Sequence, residues 1–228
     1  MKFLRVYPNH QSLLNNPSDK KINISVCEDG PEVHYGVKLY DAKIEYLEST
    51  GTQYIDTGIF ANQYPFKLET LILFTNTSSE KDVWGNINKS QGDKYGFVSG
   101  VNGSSIYQWG GSSWKPVTCS INNWYTITYE YDTSSHRKCI VNNTTYNSSI
   151  SNNNIINSST PIYLFCDGAR KSYFFYGKIK YAKIYINNNL VMDLIPVRVG
   201  TTGYMYDKVS GQLFSNNGTG SFTLGQDI

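Results

Sequence analysis

Apolar and polar residues alternate along most of the chain with a period of two, which is the pattern of strands with one buried face. No segment keeps a 3.6-residue apolar repeat for more than one turn, so long helices are not expected. From residue 43 onward the strand-like segments are KIEYLES, TQYIDTG, FKLETLILFT, KYGFVSG, WYTITYEYD, HRKCIVNN, PIYLFCD, GKIKYAKIYIN, LVMDLIPVRV, GYMYDK and GQLFSN. Turn clusters such as NNN, NGS and NNGTG separate them. This succession predicts an all-β fold, a jelly-roll β-sandwich.

A smaller unit is predicted for residues 1–42. FLRVYP is a short strand candidate, and INISV and EVHYG flank CEDGP, which is typical of a tight turn in a β-hairpin. A hairpin alone is marginally stable in water, so this unit must dock on the main domain, on a copy of itself or on a larger assembly. We therefore predict an attachment or oligomerisation module at 1–42 and a jelly-roll domain at 43–228. The candidate attachment residues are Phe3, Val6, Tyr7, Ile22, Ile24, Val26, Val33 and Tyr35.

The composition excludes several partners. Charged residues are 17% of the chain and aromatic residues 14%, so Asn, Ser, Thr and Tyr must cover much of the surface. The formal net charge of +2 gives no strong attraction to nucleic acid or to an anionic membrane. No stretch is apolar enough to cross a bilayer, and the first residues lack the apolar run of a signal peptide. We expect a protein made in a cytoplasm, without membrane insertion.

Neither a metal nor a cofactor is expected. The four cysteines, Cys27, Cys119, Cys139 and Cys166, are far apart and form no CxxC pair, which predicts free and mostly buried thiols. The three histidines are scattered and lack neighbours at zinc-ligand spacing. The loops around positions 93 and 167 hold too few carboxylates for a convincing calcium site.

Four stretches of the chain resemble a known family. WYTITYEYDTSSHRKCIVNN resembles the paired strands of laminin-G-like, concanavalin-type jelly rolls, with Asn143 where that family usually has glycine. FFYGKIKYAKIYINNNLVMDLIPVR is similar to a late strand of the family, in which a glycine precedes an alternating run. The opening IEYLESTGTQYIDTGI and the closing GYMYDKVSGQLFSNNGTGSFTLG are similar to the ends of such domains in proteins of gut bacteria and their phages.

The resemblance also suggests a biological setting. INISVCEDGPEVHYG looks like a short module of Bacteroidetes and crAss-like phage proteins. Together these resemblances imply a structural protein of a phage virion, a head fibre or capsid decoration protein, made in the host cytoplasm. Its partners would be sister chains, as a trimer, other capsid proteins, and cell-surface or mucus glycans bound by multivalent adhesion. The alternatives are a bacterial carbohydrate-binding module and, less favoured, a glycan depolymerase.

Two acidic residues on one strand raise the question of catalysis. Alternation places Glu130 and Asp132 on the same face, about 6.6 to 7 Å apart at Cα. Retaining glycosidases hold two carboxyl groups about 5 to 5.5 Å apart. Glycosidases on this type of sandwich typically carry Glu-x-Asp-x-x-Glu, and here the third position is Ser135 in a turn. The missing acid predicts a non-enzymatic protein. The opposite, core-facing side of the strand is predicted to hold Tyr125, Ile127, Tyr129 and Tyr131.

A loop-rich middle region supplies the candidate ligand-binding residues. Aromatic rings beside amides suit sugar recognition, because C–H groups stack on the ring while amides bond hydroxyl groups. The candidates are Trp109, Trp114, Gln108 and Asn102. Trp and Tyr also fill sandwich cores and interfaces, so both roles stay open for the two tryptophans, whereas Trp84 is expected in the core. The run Tyr173–Tyr176 either has both faces covered or packs on another subunit.

Overall fold

The computed structural model describes residues 39–88, 96–150, 155–169 and 171–228. The chain divides into two compact units, Met1–Leu39 and Tyr40–Ile228, of which the second is described below. All the predicted attachment residues, from Phe3 to Tyr35, lie outside the described residues, so their role stays a prediction. Ala42 belongs to the first strand of the second unit, one residue inside the range predicted for the N-terminal module.

Within the described residues the second unit consists of strands of 2 to 11 residues, the loops and turns that join them, and one 3-10 helix at Ile155–Asn157. None of its helical segments is long and apolar enough to cross a membrane. The strands are β1 (Ala42–Lys43), β2 (Leu47–Thr50), β3 (Ile55–Asp56), β4 (Phe66–Phe74), β5 (Lys81–Gly85), β6 (Val98–Val101), β7 (Ile106–Trp109), β8 (Ser113–Trp114), β9 (Trp124–Thr133), β10 (His136–Val141), β11 (Thr144–Ser149), β12 (Tyr163–Leu164), β13 (Tyr176–Ile186), β14 (Asn189–Val199), β15 (Thr202–Asp207), β16 (Leu213–Phe214) and β17 (Thr223–Leu224).

The strands form two antiparallel sheets. The large sheet has the order β11-β10-β9-β4-β13-β14-β15-β16, with β1 paired to β14, β2 to β13 and β17 to β2. The small sheet has the order β3-β12-β5-β6-β7-β8. The hydrophobic core lies between them, as in β-sandwiches generally. The predicted all-β sandwich is confirmed.

The central strand β9 shows how the sequence pattern makes this core. Ile127, Tyr129 and Tyr131 are fully buried, while Glu130 faces outward, as the alternation predicts. The Tyr131 ring stacks on Phe66 of β4 at a centroid distance of 4.7 Å. The Tyr129 hydroxyl donates to the Gly100 carbonyl of the small sheet at 3.1 Å, so a polar group spans the core and ties the two sheets together.

Two Asn-Asn pairs close hairpins of the large sheet. Asn142 and Asn143 have φ of 47° and 71° between β10 and β11, and Asn187 and Asn188 have φ of 49° and 62° between β13 and β14. Two-residue hairpin turns require positive φ at both positions, and asparagine tolerates it better than most residues. Asn143 therefore adopts the positive-φ conformation for which the family resemblance would place a glycine.

The large sheet divides along β13. From Ile186 to Ala182 this strand pairs with β14, but from Ile179 to Tyr176 it pairs with β2. Strand β1 pairs with β14, whereas the next strand, β2, pairs with β13, so the chain between β1 and β2 crosses from β14 to β13. At this crossing the Ile44 amide donates to the Pro196 carbonyl at 3.1 Å. A β-bulge between Ile179 and Tyr181 marks the same place in the pairing of β13 with β4. We call this point the fork of the sheet.

The thiols agree with the sequence prediction. Cys119, Cys139 and Cys166 are free and buried, and burial raises the pKa of the Cys119 thiol to about 11. Cys27 lies outside the described residues. The cysteines of the sandwich therefore act as small apolar core residues whose thiols stay protonated at neutral pH.

Candidate functional site

The two candidate tryptophans lie on neighbouring strands but pack in different places. Trp109 is half-buried and packs against Ile87, Val98 and Tyr107, a small cluster separate from the main core. Trp114 packs against the main core, and its indole lies 5.2 Å from the guanidinium carbon of the buried Arg137. They do not form one ligand platform.

The other two candidates are tied into the fold. Gln108 is fully buried, and its amide donates weakly to the Lys138 carbonyl at 3.5 Å. Its side chain therefore cannot contribute to a surface site, which corrects its inclusion among the sugar-binding candidates. Asn102 lies in the turn before β7, where it donates to Glu80 at 3.3 Å and accepts from Lys115 at 3.1 Å. Trp109, Trp114 and Asn102 are partly exposed, so their predicted role stays open.

The remaining aromatic predictions separate in the same way. Trp84 is fully buried in the core, as predicted. In the run Tyr173–Tyr176, Tyr173 is 46% exposed, Phe175 is fully buried and the other two are half-buried. The Phe174 ring lies 6.3 Å from that of Tyr54. Packing of this run on another subunit stays a prediction.

The acidic pair on β9 forms an ion-pair cluster. Lys138 Nζ lies 3.4 Å from Glu130 and 3.2 Å from Asp132, and His136 Nδ1 lies 2.8 Å from Asp132. Burial opposes ionisation of Asp132, but hydrogen bonds with His136 and Lys138 outweigh it and lower its pKa. A glycosidase general acid needs a raised pKa, so this geometry does not suit acid catalysis.

The outward face of the large sheet carries four aromatic rings, and a lysine ammonium lies over each. The distances from Nζ to ring centroid are 4.4 Å for Lys178 over Tyr46, 4.7 Å for Lys180 over Trp124, 5.4 Å for Lys183 over Tyr181 and 4.0 Å for Lys67 over Tyr185. Such contacts stabilise by cation–π attraction. We call these eight residues the lysine–aromatic face.

Acidic residues alternate with the lysines across this face. Glu130 is opposite Lys67 on neighbouring strands, and Glu69 is opposite Lys183, whose ammonium lies 4.0 Å from its carboxylate. Lys178 lies 3.9 Å from Glu48 in the same way. Cross-strand pairs of opposite charge stabilise a sheet modestly. On this face, lysines, acidic residues and aromatic rings therefore contact one another across neighbouring strands.

A cavity of about 380 Å³ opens on this face at the fork. Leu71, Tyr181 and Ile195 contribute an apolar and aromatic lining. Its charged lining residues are Lys43, Glu45, Lys180 and Lys208. The volume is at the lower end of the roughly 300 to 1,000 Å³ typical of small-ligand sites. We call it the fork cavity.

The polar groups of the fork cavity suit hydrogen bonding to a ligand. Burial and the nearby Glu69 carboxylate raise the pKa of Tyr181 to about 12, so its hydroxyl keeps its proton at neutral pH. Lys208 is engaged by Asp193 at 2.6 Å. A ring, apolar carbons and several hydrogen-bonding groups around a small hollow are the ingredients of sugar recognition.

Sequence reasoning did not select the fork-cavity residues. The available signal was the segment GKIKYAKIY, in which lysine and tyrosine share the outward positions. The bulge at Lys180 changes the phase of the alternation, so that Lys180 and Tyr181 both contribute to the cavity. A strict period of two would have placed these consecutive residues on opposite faces.

Comparison with known proteins places the fold. A protein from Bacteroides ovatus ATCC 8483, provisionally assigned as a carbohydrate-binding protein, has a TM-score of 0.58 and 14% identity over 82% of this chain and 60% of that chain. A heptameric SAP-like pentraxin from Limulus polyphemus has a TM-score of 0.51 and 8% identity over 84% of this chain and 98% of that chain. This chain thus spans 60% of the length of the Bacteroides protein. These likenesses confirm the jelly-roll β-sandwich fold.

No family profile matches the chain, and no curated protein matches it in sequence. At identities of 14% and 8%, the two structures speak for the shared fold alone.

Proposed function

We propose that this chain is a non-enzymatic, lectin-like carbohydrate-binding domain whose sugar site is the fork cavity. The observation that carries the proposal is the cavity itself, where the Tyr181 ring and the apolar Leu71 and Ile195 lie beside hydrogen-bonding side chains. The assigned role of the Bacteroides ovatus protein that shares the fold supports it. The ion-paired state of Glu130 and Asp132 supports binding without catalysis.

A single site of this size binds a sugar weakly. Its small contact area and the ordering of lysine side chains limit the affinity to about the millimolar range for one sugar unit. Several copies on one particle or surface convert such contacts into firm adhesion. The proposed mechanism is therefore multivalent attachment to a glycan-coated surface.

The test is a glycan array with the full chain, followed by calorimetric titration of the glycans that bind. Tyr181→Ala is expected to weaken binding about tenfold, because it removes the ring that lines the cavity. Tyr173→Ala is the matched control, since Tyr173 is an exposed tyrosine that does not line the fork cavity. Thermal unfolding of each variant shows that the fold is retained.

The rival site at Trp109 is separated by the same experiment. Trp109→Ala is expected to leave glycan affinity within about twofold of the parent protein, because its ring packs on a different cluster. Loss of binding in Trp109→Ala together with full binding in Tyr181→Ala would move the site to the small sheet. Chromatographic detection of shortened glycan chains would overturn the non-enzymatic assignment.

For the biological setting we retain the phage virion that the sequence resemblance implies, as a proposal separate from sugar binding. Residues 1–42 would attach the chain to capsid proteins and join it into a trimer, and the sandwich would present the binding site. The two solved structures concern a carbohydrate-binding protein and a pentraxin, so a bacterial carbohydrate-binding module is supported at least as well.

Light scattering tests the oligomeric part of this setting. We expect a trimeric mass for the full chain and a monomeric mass for residues 39–228. A monomer in both cases would remove the trimer and would favour the bacterial module.

A further inference from the structure

We infer that the ligand of the fork cavity is an acidic glycan, one whose sugar units carry carboxylate or sulfate groups. This inference rests on the proposed function and narrows it to a ligand class. It follows from the ionic partners of the lysines around the cavity and from how the neighbouring rings are covered.

Two of the three lysines that line the cavity form no ion pair with a described residue. Lys208 is paired with Asp193 at 2.6 Å. For Lys43 and Lys180, by contrast, no carboxylate lies within ion-pair distance in the described part of the chain. Elsewhere on this face Lys178, Lys183 and Lys138 each meet an acidic side chain, whereas Lys67 lies over the Tyr185 ring without an ion pair among the described residues. The fork thus brings together two ammonium groups, those of Lys43 and Lys180, that could each bind an anionic group of a ligand.

The lysines beside the rings also favour an acidic sugar over a neutral one. A neutral sugar binds an aromatic ring by laying its C–H groups on the ring face. Here the faces of Trp124 and Tyr181 are approached by Lys180 and Lys183 at 4.7 and 5.4 Å. A ligand arriving from solvent therefore meets ammonium groups beside the rings. An acidic sugar satisfies those charges, whereas a neutral one must displace them.

The acidic residue of the cavity, Glu45, limits the attraction for an acidic ligand and offers a second way to test it. Glu45 lines the same hollow, and its charge opposes an acidic ligand. With Lys208 neutralised by Asp193, the side chains of the lining keep two positive charges against one negative charge. The attraction is therefore modest and sensitive to salt, since exposed charges are screened within about 10 Å at 0.1 M ionic strength.

The experiment uses the full chain and four probes: oligogalacturonate, which carries carboxylates, dextran sulfate, neutral dextran, and polyglutamate as an anion without sugar. Titrations are made at low and high salt. Lys43→Gln and Lys180→Gln are each expected to weaken acidic-glycan binding about threefold, and Glu45→Gln to strengthen it by a similar factor. Lys115→Gln removes one charge from a lysine that does not line the cavity and is the matched control.

The opposite signs of the lysine and glutamate variants distinguish the proposal from general destabilisation, which would weaken binding in every variant. Binding of oligogalacturonate or dextran sulfate with these signs supports the inference, and the comparison of the two tells carboxylate from sulfate. Equal binding of neutral dextran, unchanged by the charge variants, overturns the inference but leaves the proposed function. Equal binding of polyglutamate overturns sugar specificity. Binding to none of the glycan probes, with an empty glycan array, removes the proposed function as well.

Discussion

The ammonium group of Lys180 lies 4.7 Å from the centroid of the Trp124 indole, across the intervening strand β4. The β-bulge in β13 makes this contact compatible with the position of Tyr181. Because the bulge adds one residue against β4, Lys180 and Tyr181 are both available to the outward face. The bulge in β13 thus brings the Lys180 ammonium group close to the Trp124 ring and lets Tyr181 line the fork cavity.

The first prediction concerns that contact. Trp124→Ala should lower the free energy of unfolding by about 2 kcal/mol, through lost ring burial and the lost cation–π contact with Lys180. Trp124→Phe keeps a ring and should lose less than half of that. Urea unfolding measures both. Equal losses for Phe and Ala would show that the ring contact contributes nothing.

A second prediction explains a glycine of the family resemblance. A Cβ on Gly177 would lie 2.1 Å from the Leu73 carbonyl oxygen and 2.7 Å from the Phe175 ring. Gly177→Ala should therefore cost about 2 to 3 kcal/mol of stability by overpacking. Gly200→Ala is the control, because Gly200 also has positive φ but a Cβ there would meet nothing within 4 Å. Gly200→Ala should cost about 1 kcal/mol from backbone strain alone. If Gly177→Ala left the free energy of unfolding unchanged, β4 and the Phe175 ring would be able to move enough to accommodate a methyl group without cost.

The third prediction treats Trp114 as a structural residue. Its indole covers the guanidinium of Arg137, which donates to the Ser112 carbonyl at 2.8 Å. Trp114→Ala should lower stability by about 2 to 3 kcal/mol and leave glycan affinity unchanged. The exposed neighbour Lys115→Ala should stay within about 0.5 kcal/mol. Loss of glycan binding in folded Trp114→Ala protein would restore Trp114 to the site.

Acid should destabilise the fold through Asp207. This buried carboxylate accepts hydrogen bonds from the amides of Asp193, Val209 and Ser210 and from the Ser210 hydroxyl. Burial opposes its ionisation, but these bonds outweigh burial and lower its pKa. Because the folded pKa lies below the unfolded value of about 3.9, the stabilisation is complete above that value and is lost as the pH falls through the folded pKa.

Asp207→Asn tests this linkage. The variant should be about 2 kcal/mol less stable than the parent protein at pH 7, because one accepting oxygen becomes an NH2 group that faces other donors, and the bonds to the remaining oxygen lose their charge. Its further loss between pH 7 and pH 3 should be smaller than that of the parent protein. Urea unfolding at the two pH values measures the difference. Parallel losses would show that Asp207 does not carry the acid sensitivity.

The strands with clean alternation could be predicted from sequence, and those without it could not. The β9 pattern gave both the core face and the outward Glu130 correctly. Five strands were not identified, namely β5, β7, β8, β11 and β17. Two of them show why. β5 (Lys81–Gly85) has a register shift between Asp82 and Trp84, and four of its five residues are buried, so its residues do not alternate. β11 (Thr144–Ser149) is a polar edge strand whose partner and turn, rather than its apolar residues, define it.

The candidate site was harder, for a physical reason. Sequence reasoning sought aromatic residues in glycine-rich loops and chose Trp109 and Trp114, but a loop tryptophan can pack inward as readily as outward. The fork cavity combines residues from β1, β4, β13 and β14, with Lys43 and Lys180 more than a hundred positions apart. The local pattern of apolar and polar residues does not show which strands pair when they are so far apart in the sequence. The alternation in β13 was visible, but its bulge was not.

The most direct measurement is an amide chemical-shift map of the protein titrated with a bound acidic oligosaccharide. We expect the largest changes to cluster at Lys43–Glu45, Lys180–Tyr181 and Ile195, with little change at Tyr107 and Trp109. Changes centred on Tyr107 and Trp109, with the fork silent, would contradict this expectation.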